Sequence, residues 1–131
     1  MTLDDLYRRA ERERIEIDDF RMREVVSVSF PENWIAIDRK RIRTRKEEKV
    51  ILAHEIGHCE TGSFYNIHSK HDVRRKHENR ANARACEMLV PYEEMQRALK
   101  DGYTETWQLA EYFDVPCRFM QQALEYWAGN P

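Results

Sequence analysis

ILAHEIGHCETG (residues 51–62) sets two histidines four positions apart, with a glutamate beside the first, inside an otherwise apolar run. On an α-helix His54 and His58 lie one turn apart on the same face, so both imidazoles can reach a single ion. Glu55 stands beside that face, close enough to serve as a general base towards a water without ligating the metal itself. The competing reading is a core helix whose histidines are satisfied by backbone carbonyls. That is the usual fate of one buried histidine. Two at helical spacing, with an acid between them, are costly to bury without partners. H-E-x-x-H also arises by chance in unrelated proteins, so the rest of the chain has to decide.

A catalytic zinc site normally takes three protein ligands and leaves the fourth position open. The remaining candidates are His68, His71, His77 and Glu78. A metzincin would need glycine at 61 and histidine at 64, but Thr61 and Phe64 stand there, so that class fails. In KHENRANARACEML (76–89), Glu78 shares its helical face with Ala81, Asn82 and Ala85. Small alanines let this helix pack tightly on the first and bring the Glu78 carboxylate to the two imidazoles. Asn82, one turn on, is placed to hold that carboxylate from behind. His77 points elsewhere on the helix. Glu78 is therefore favoured over the histidines as third ligand.

The composition fits such a protein. With 131 residues, 41% hydrophobic and 35% charged, the chain suits one domain, 1–131, built from amphipathic elements with charged outer faces. A formal net charge of −2 argues against a general nucleic-acid binder. No apolar stretch approaches the ~20 residues of a membrane span, and MTLDDLYRRAERER has no signal-peptide core. A soluble, cytoplasmic protein is expected. The 3 cysteines (Cys59, Cys86 and Cys117) are far apart and form no C-x-x-C pair, so they read as reduced thiols serving as small hydrophobes. Cys59 points about 100° around the helix from His58 and should miss the ion.

Along the chain, residues 3–14 form an Arg/Glu-rich helix with an apolar stripe at Leu3, Leu6, Tyr7 and Ala10. RIEI (14–17), VVSVSF (25–30) and NWIAID (33–38) are short β-prone runs that suit a small sheet. RKRIRTRKEEK (39–49) lacks the aromatics of a nucleic-acid patch and reads as a loop and the exposed first turns of the helix over 45–60. Helices follow over 72–89, from Pro91 to Gly102, and as a C-terminal pair at about 104–127, capped by Thr104 and reopened by Pro116. The fold class is α+β, a small antiparallel or mixed N-terminal sheet packed on a mainly helical body.

HEIGH, followed about twenty residues later by ENRANARACEMLVP, resembles the ImmA/IrrE-type metallo-endopeptidases, whose second motif has the form E-x-x-A-N-x-F-A-x-x-L-L-x-P. The likeness extends upstream through WIAIDRKRIRTRKEEKVILAHEIGH and covers most of the chain. It implies a minimal zincin-like fold and one Zn2+ per chain, or another first-row divalent ion. It implies His54, His58 and Glu78 as ligands and Glu55 as the catalytic glutamate. It further implies a regulatory protease that cleaves a helix-turn-helix repressor. Departures from the pattern fall at Arg84, Cys86 and Glu87, where they touch packing rather than ligation. For an oxyanion partner, the loop after the first motif offers Tyr65, His68 and His71.

Two rival functions stand beside the protease. TETWQLAEYFDVPCRFMQQALEYW (104–127) resembles two helices of a helix-turn-helix with Val115 in the turn, which would make a DNA-binding regulator. Its second helix offers only Arg118, Gln121 and Gln122 to a groove, so a helical pair completing the core or docking the substrate is the better reading. The other rival is a catalytically inactive metal-binding interaction module.

Overall fold

The computed structural model describes residues 1–66 and 68–129. In chain order it holds α1 (Leu3–Arg12), β1 (Glu16–Asp19), β2 (Ser27–Phe30), β3 (Trp34–Ile37), a 3-10 turn (Arg39–Arg41), α2 (Arg45–Thr61), α3 (His71–Leu89), α4 (Tyr92–Lys100), α5 (Thr106–Phe113) and α6 (Cys117–Gly129). The expected class is correct: a small mixed sheet against a mainly helical body.

Helix α1 starts on a reciprocal cap, in which the Thr2 hydroxyl accepts from the Asp5 amide and the Asp5 carboxylate accepts from the Thr2 amide. It ends two residues before the expected position because Arg14 adopts a positive φ of 57° and turns the chain. That turn also displaces β1 from 14–17 to Glu16–Asp19, with Ile15 buried at the corner. The strand order is β1-β3-β2. Strand β3 is central, parallel to β1 and antiparallel to β2, and its Ile35, Ala36 and Ile37 are buried. Strand β2 is left with one edge unpaired within the sheet.

The basic stretch after β3 is largely exposed, as expected, but Arg41 is tied down and Lys49 is buried. Arg41 donates through Nη1 to the carbonyls of Met22 and Val25, each at 2.9 Å. Asp38 accepts from the Met22 amide at 3.0 Å and from Arg21. Together they clasp the segment that feeds β2. Lys49, read from sequence as a solvated charge, is 1% exposed. Its ammonium donates to the Phe113 and Asp114 carbonyls at 2.8 and 3.1 Å, neutralising the C-terminal end of α5. Burial lowers its pKa.

Helix α2 crosses the molecule with Leu52, Ala53, Ile56 and Gly57 buried. At Gly57 the carbonyl of Ala81 comes so near that a β-carbon there would lie 2.7 Å from it. Glycine is required at this approach, and the buried alanines 81 and 85 complete the close packing of α3 on α2. Glu60 ties the pair to α1: it accepts from Arg9 and from Arg84 Nε, the latter at 2.7 Å. Arg84, which replaces an aromatic residue of the motif, thus makes an ion pair where the motif would pack a ring.

Helix α4 begins at Tyr92, with Pro91 as its cap rather than its first residue. Helix α5 is capped by Glu105, not Thr104, because the Glu105 carboxylate and the Gln108 side chain satisfy each other's backbone amides. Leu109, Ala110, Phe113, Val115, Phe119, Met120 and Ala123 from α5, the turn and α6 all lie in the core. No disulfide forms among the cysteines. Cys86 is buried and Cys59 packs against the core, with burial pushing their thiols up to about 11 and 12, whereas Cys117 is exposed. Among the described residues no helix is long and apolar enough to cross a membrane.

Candidate active site

The two histidines of α2 do share a face, with rings perpendicular and centroids 4.7 Å apart. Each ring is oriented from behind. His54 Nδ1 lies 2.7 Å from Asn82 Oδ1, and His58 Nδ1 bonds the Ser63 carbonyl. The second bond is local. Gly62 takes a left-handed φ of 63° at the end of α2 and folds Ser63 back against the ring of the same helix.

A carbonyl only accepts, so His58 Nδ1 carries a proton, and the Asn82 oxygen sets the same tautomer in His54. In the neutral rings both Nε2 atoms then present lone pairs. They lie 3.1 Å from each other. Glu78 closes the group from α3, with Oε2 at 2.9 Å from His54 Nε2 and Oε1 at 2.9 Å from His58 Nε2. With both rings neutral, two lone pairs and a carboxylate converge, which is the electronic demand of a cation. For bonds of about 2.0–2.1 Å the edge of a tetrahedron is about 3.3 Å, near the observed spacings. Nitrogen and oxygen donors in this mix suit zinc and neighbouring first-row ions. The residues fit a metal.

Electrostatics agree with that demand. The bonds from His54 and His58 hold the Glu78 carboxyl well below the usual carboxylate range. For His54, burial pulls the pKa down, but the bond to Glu78 and the charge of Glu55 outweigh it, and the net shift is upward.

Glu55 lies beside this group, 6% exposed, and is not part of it. The Ser27 hydroxyl, from the first residue of β2, donates to Glu55 Oε2 at 2.6 Å. Tyr65, in the loop after α2, donates its phenol proton to Glu78 Oε1 at 2.8 Å. These side chains line one cleft of about 510 Å³. Its floor is α2, one wall is Val25 and Ser27–Ser29, and its rim carries Ser63–Asn66, Arg74 and Glu78.

Of the residues singled out in the sequence, His54, Glu55, His58, Glu78 and Tyr65 come together in this cleft. His68 and His71 are exposed and do not line it. His77 is turned away from the cluster: its ring stacks against Tyr65 at 6.5 Å, and its buried Nδ1 has no partner among the described residues. One expectation is corrected. Asn82 orients the His54 ring, not the Glu78 carboxylate, because α3 carries it past Glu78 to the outer edge of the imidazole. Cys59 stays outside the cluster. Ser27 and Ser63 were missed. A serine after a helix-ending glycine is a weak signal for Ser63, and nothing local marks Ser27.

Neither a curated protein nor a solved structure matches the chain. A family profile does, described as the IrrE N-terminal-like domain of Peptidase_M78, over residues 6–125. That range holds every side chain of the cleft, and the chain belongs to the Peptidase_M78 metallopeptidase family.

Proposed function

We propose that residues 1–131 act as a single zinc-dependent metallo-endopeptidase domain in the cytoplasm and cleave a helix-turn-helix repressor. The observation that carries the catalytic part is the juxtaposition of a His54–His58–Glu78 cluster with a buried carboxylate that stands outside it. Ligand and base are then different residues, as peptide hydrolysis needs. His54, His58 and Glu78 would hold the ion, which when bound would supply Lewis-acid polarisation of the scissile carbonyl and a more acidic water.

The chain's own groups do the rest. Ser27 fixes the Glu55 carboxylate through Oε2 and leaves Oε1 to accept a proton from the attacking water. Glu55 then delivers that proton to the departing amine, a contribution of about 10²–10⁴-fold. The unpaired edge of β2 borders the cleft, so an extended peptide can pair with it and lie across α2. Tyr65 is the oxyanion donor in this scheme, its single phenol proton turning from Glu78 to the developing oxyanion. Burial and its bond to Glu78 push the phenol up to about 12, so it keeps its proton at neutral pH.

The test separates ligand from base. Glu55→Gln should keep the fold and bound zinc yet lose cleavage of a co-expressed repressor by about 10²-fold or more. His54→Ala should lose both. A folded, zinc-loaded Glu55→Gln protein that cleaves at the parental rate would exclude the mechanism.

A further inference from the structure

The C-terminal helical pair contributes more than core. Tyr103, Trp107 and Tyr112 keep 41%, 56% and 46% of their surface exposed, and with Gln108 and Glu111 they line a groove of about 360 Å³. The Tyr103 and Tyr112 rings are 5.2 Å apart and tilted by 54°. Trp107 and Glu111 are one helical turn apart, so an indole face and a carboxylate stand side by side on α5. The groove shares no residue with the metal cleft.

Its charge selects the occupant. From Asp101 to Cys117 the chain carries Asp101, Glu105, Glu111 and Asp114 and no lysine, arginine or histidine. Lys49 reaches the end of α5 from beneath, where it is buried, committed to two carbonyls and 4.0 Å from Asp114. Lys100 and Arg118 flank the stretch, and neither lines the groove. Asp114 faces Lys49 and Glu105 caps α5, so Glu111 is the carboxylate that lines the groove; electron-rich ring faces and such a carboxylate both attract cations. A planar guanidinium satisfies both at once, stacking on Trp107 or a tyrosine while donating to Glu111. An acidic segment would be repelled, and a wholly apolar one would desolvate Glu111 without compensation.

We infer that this groove is a docking surface for an arginine-bearing basic segment of a protein partner. Exposed aromatics beside a carboxylate are the residue types that anchor such contacts. The proposal is independent of turnover at the metal cleft.

The test uses the full chain and a dye-labelled arginine-rich peptide, followed by fluorescence anisotropy, with matched peptides carrying lysine or aspartate in place of arginine. The arginine peptide should bind, the lysine peptide more weakly, and the aspartate peptide not at all. Trp107→Ala and Glu111→Lys, both at exposed positions, should each weaken the arginine peptide by about tenfold or more. Independently of any variant, the indole N–H resonance of Trp107 in the parent should shift on titration. The proposal is overturned if the arginine peptide does not bind, if both substitutions leave its binding unchanged, or if the aspartate peptide binds equally. Self-association of the chain that Trp107→Ala abolishes would also overturn it, since the groove would then receive a second copy.

Discussion

Replacing Gly57 by alanine tests how the metal cluster is held. The added β-carbon would lie 2.7 Å from the Ala81 carbonyl oxygen and 3.3 Å from the Arg84 β-carbon. Ordinary contact begins at 3.4 Å, so α3 must retreat from α2 by about 0.7 Å. The obstacle is backbone on one side and cannot rotate away. Overpacking of this kind costs about 1–3 kcal/mol, while alanine regains about 1 kcal/mol of helix propensity over glycine. The net loss in stability is therefore small, between zero and about 2 kcal/mol. Metal binding should suffer more. Glu78 sits one turn before Ala81 on the displaced helix, and ligand positions tolerate only about 0.2 Å. Zinc affinity should fall by about tenfold or more. Chelator competition measures the affinity, and urea unfolding of the metal-free protein measures the stability. Gly129→Ala, with open space around its β-carbon, is the control. A folded Gly57→Ala protein that binds zinc as tightly as the parent would refute the claim that helix spacing holds the ligands in place.

Three further outcomes are expected. Asn82→Ala should weaken zinc binding by about 10–100-fold by freeing the His54 ring, and Asn82→Asp should restore much of it by retaining an acceptor; isothermal titration checks both. Lys49→Ala should destabilise the fold by about 2–4 kcal/mol in urea unfolding, since it empties a buried site and strips two carbonyls of their donor. Burial, and then the bond and charge of Glu60, push Glu13 up to about 7 from 4.5. A raised carboxyl favours the protonated folded state, so its stabilisation is complete below pH 4.5 and lost as pH rises through about 7. Glu13→Gln should therefore melt above the parent beyond pH 7 and level with it near pH 4.5, as thermal unfolding across pH will show.

What could be read from the sequence was set by short-range geometry. The four-residue step from His54 to His58 fixes a shared face on any helix, and the alanine spacing of 81 and 85 announces close packing. Helix boundaries followed from caps, and missed where two capping residues stood together, as at Thr104 and Glu105. The sheet was legible as three short runs, but not its order or the parallel pairing of β1 with β3, because strand pairing is decided by contacts distant in sequence. Lys49 shows the same limit: a lysine in a charged run looks solvated until α5 arrives to cover it. Ser27 and the turned Asn82 likewise depend on which elements meet, and no local pattern encodes that.

The three candidate ligands and the two groups that orient their rings all come from residues 54–82, the helical hairpin of α2 and α3. The one partner of Glu55 comes from elsewhere, from Ser27 on the sheet. The proposed ligands and the proposed base thus share one hairpin, while the group that orients the base belongs to the sheet. On that reading the hairpin is a transplantable cassette: grafted into a scaffold that keeps its two helices in register, it would carry the candidate ligands and the Glu55 carboxylate, but not the Ser27 hydroxyl that orients it. If the proposed mechanism holds, a change at Ser27 alone would detune the base while leaving every candidate ligand in place, so a chain of this architecture could lose turnover and still look like a loaded enzyme.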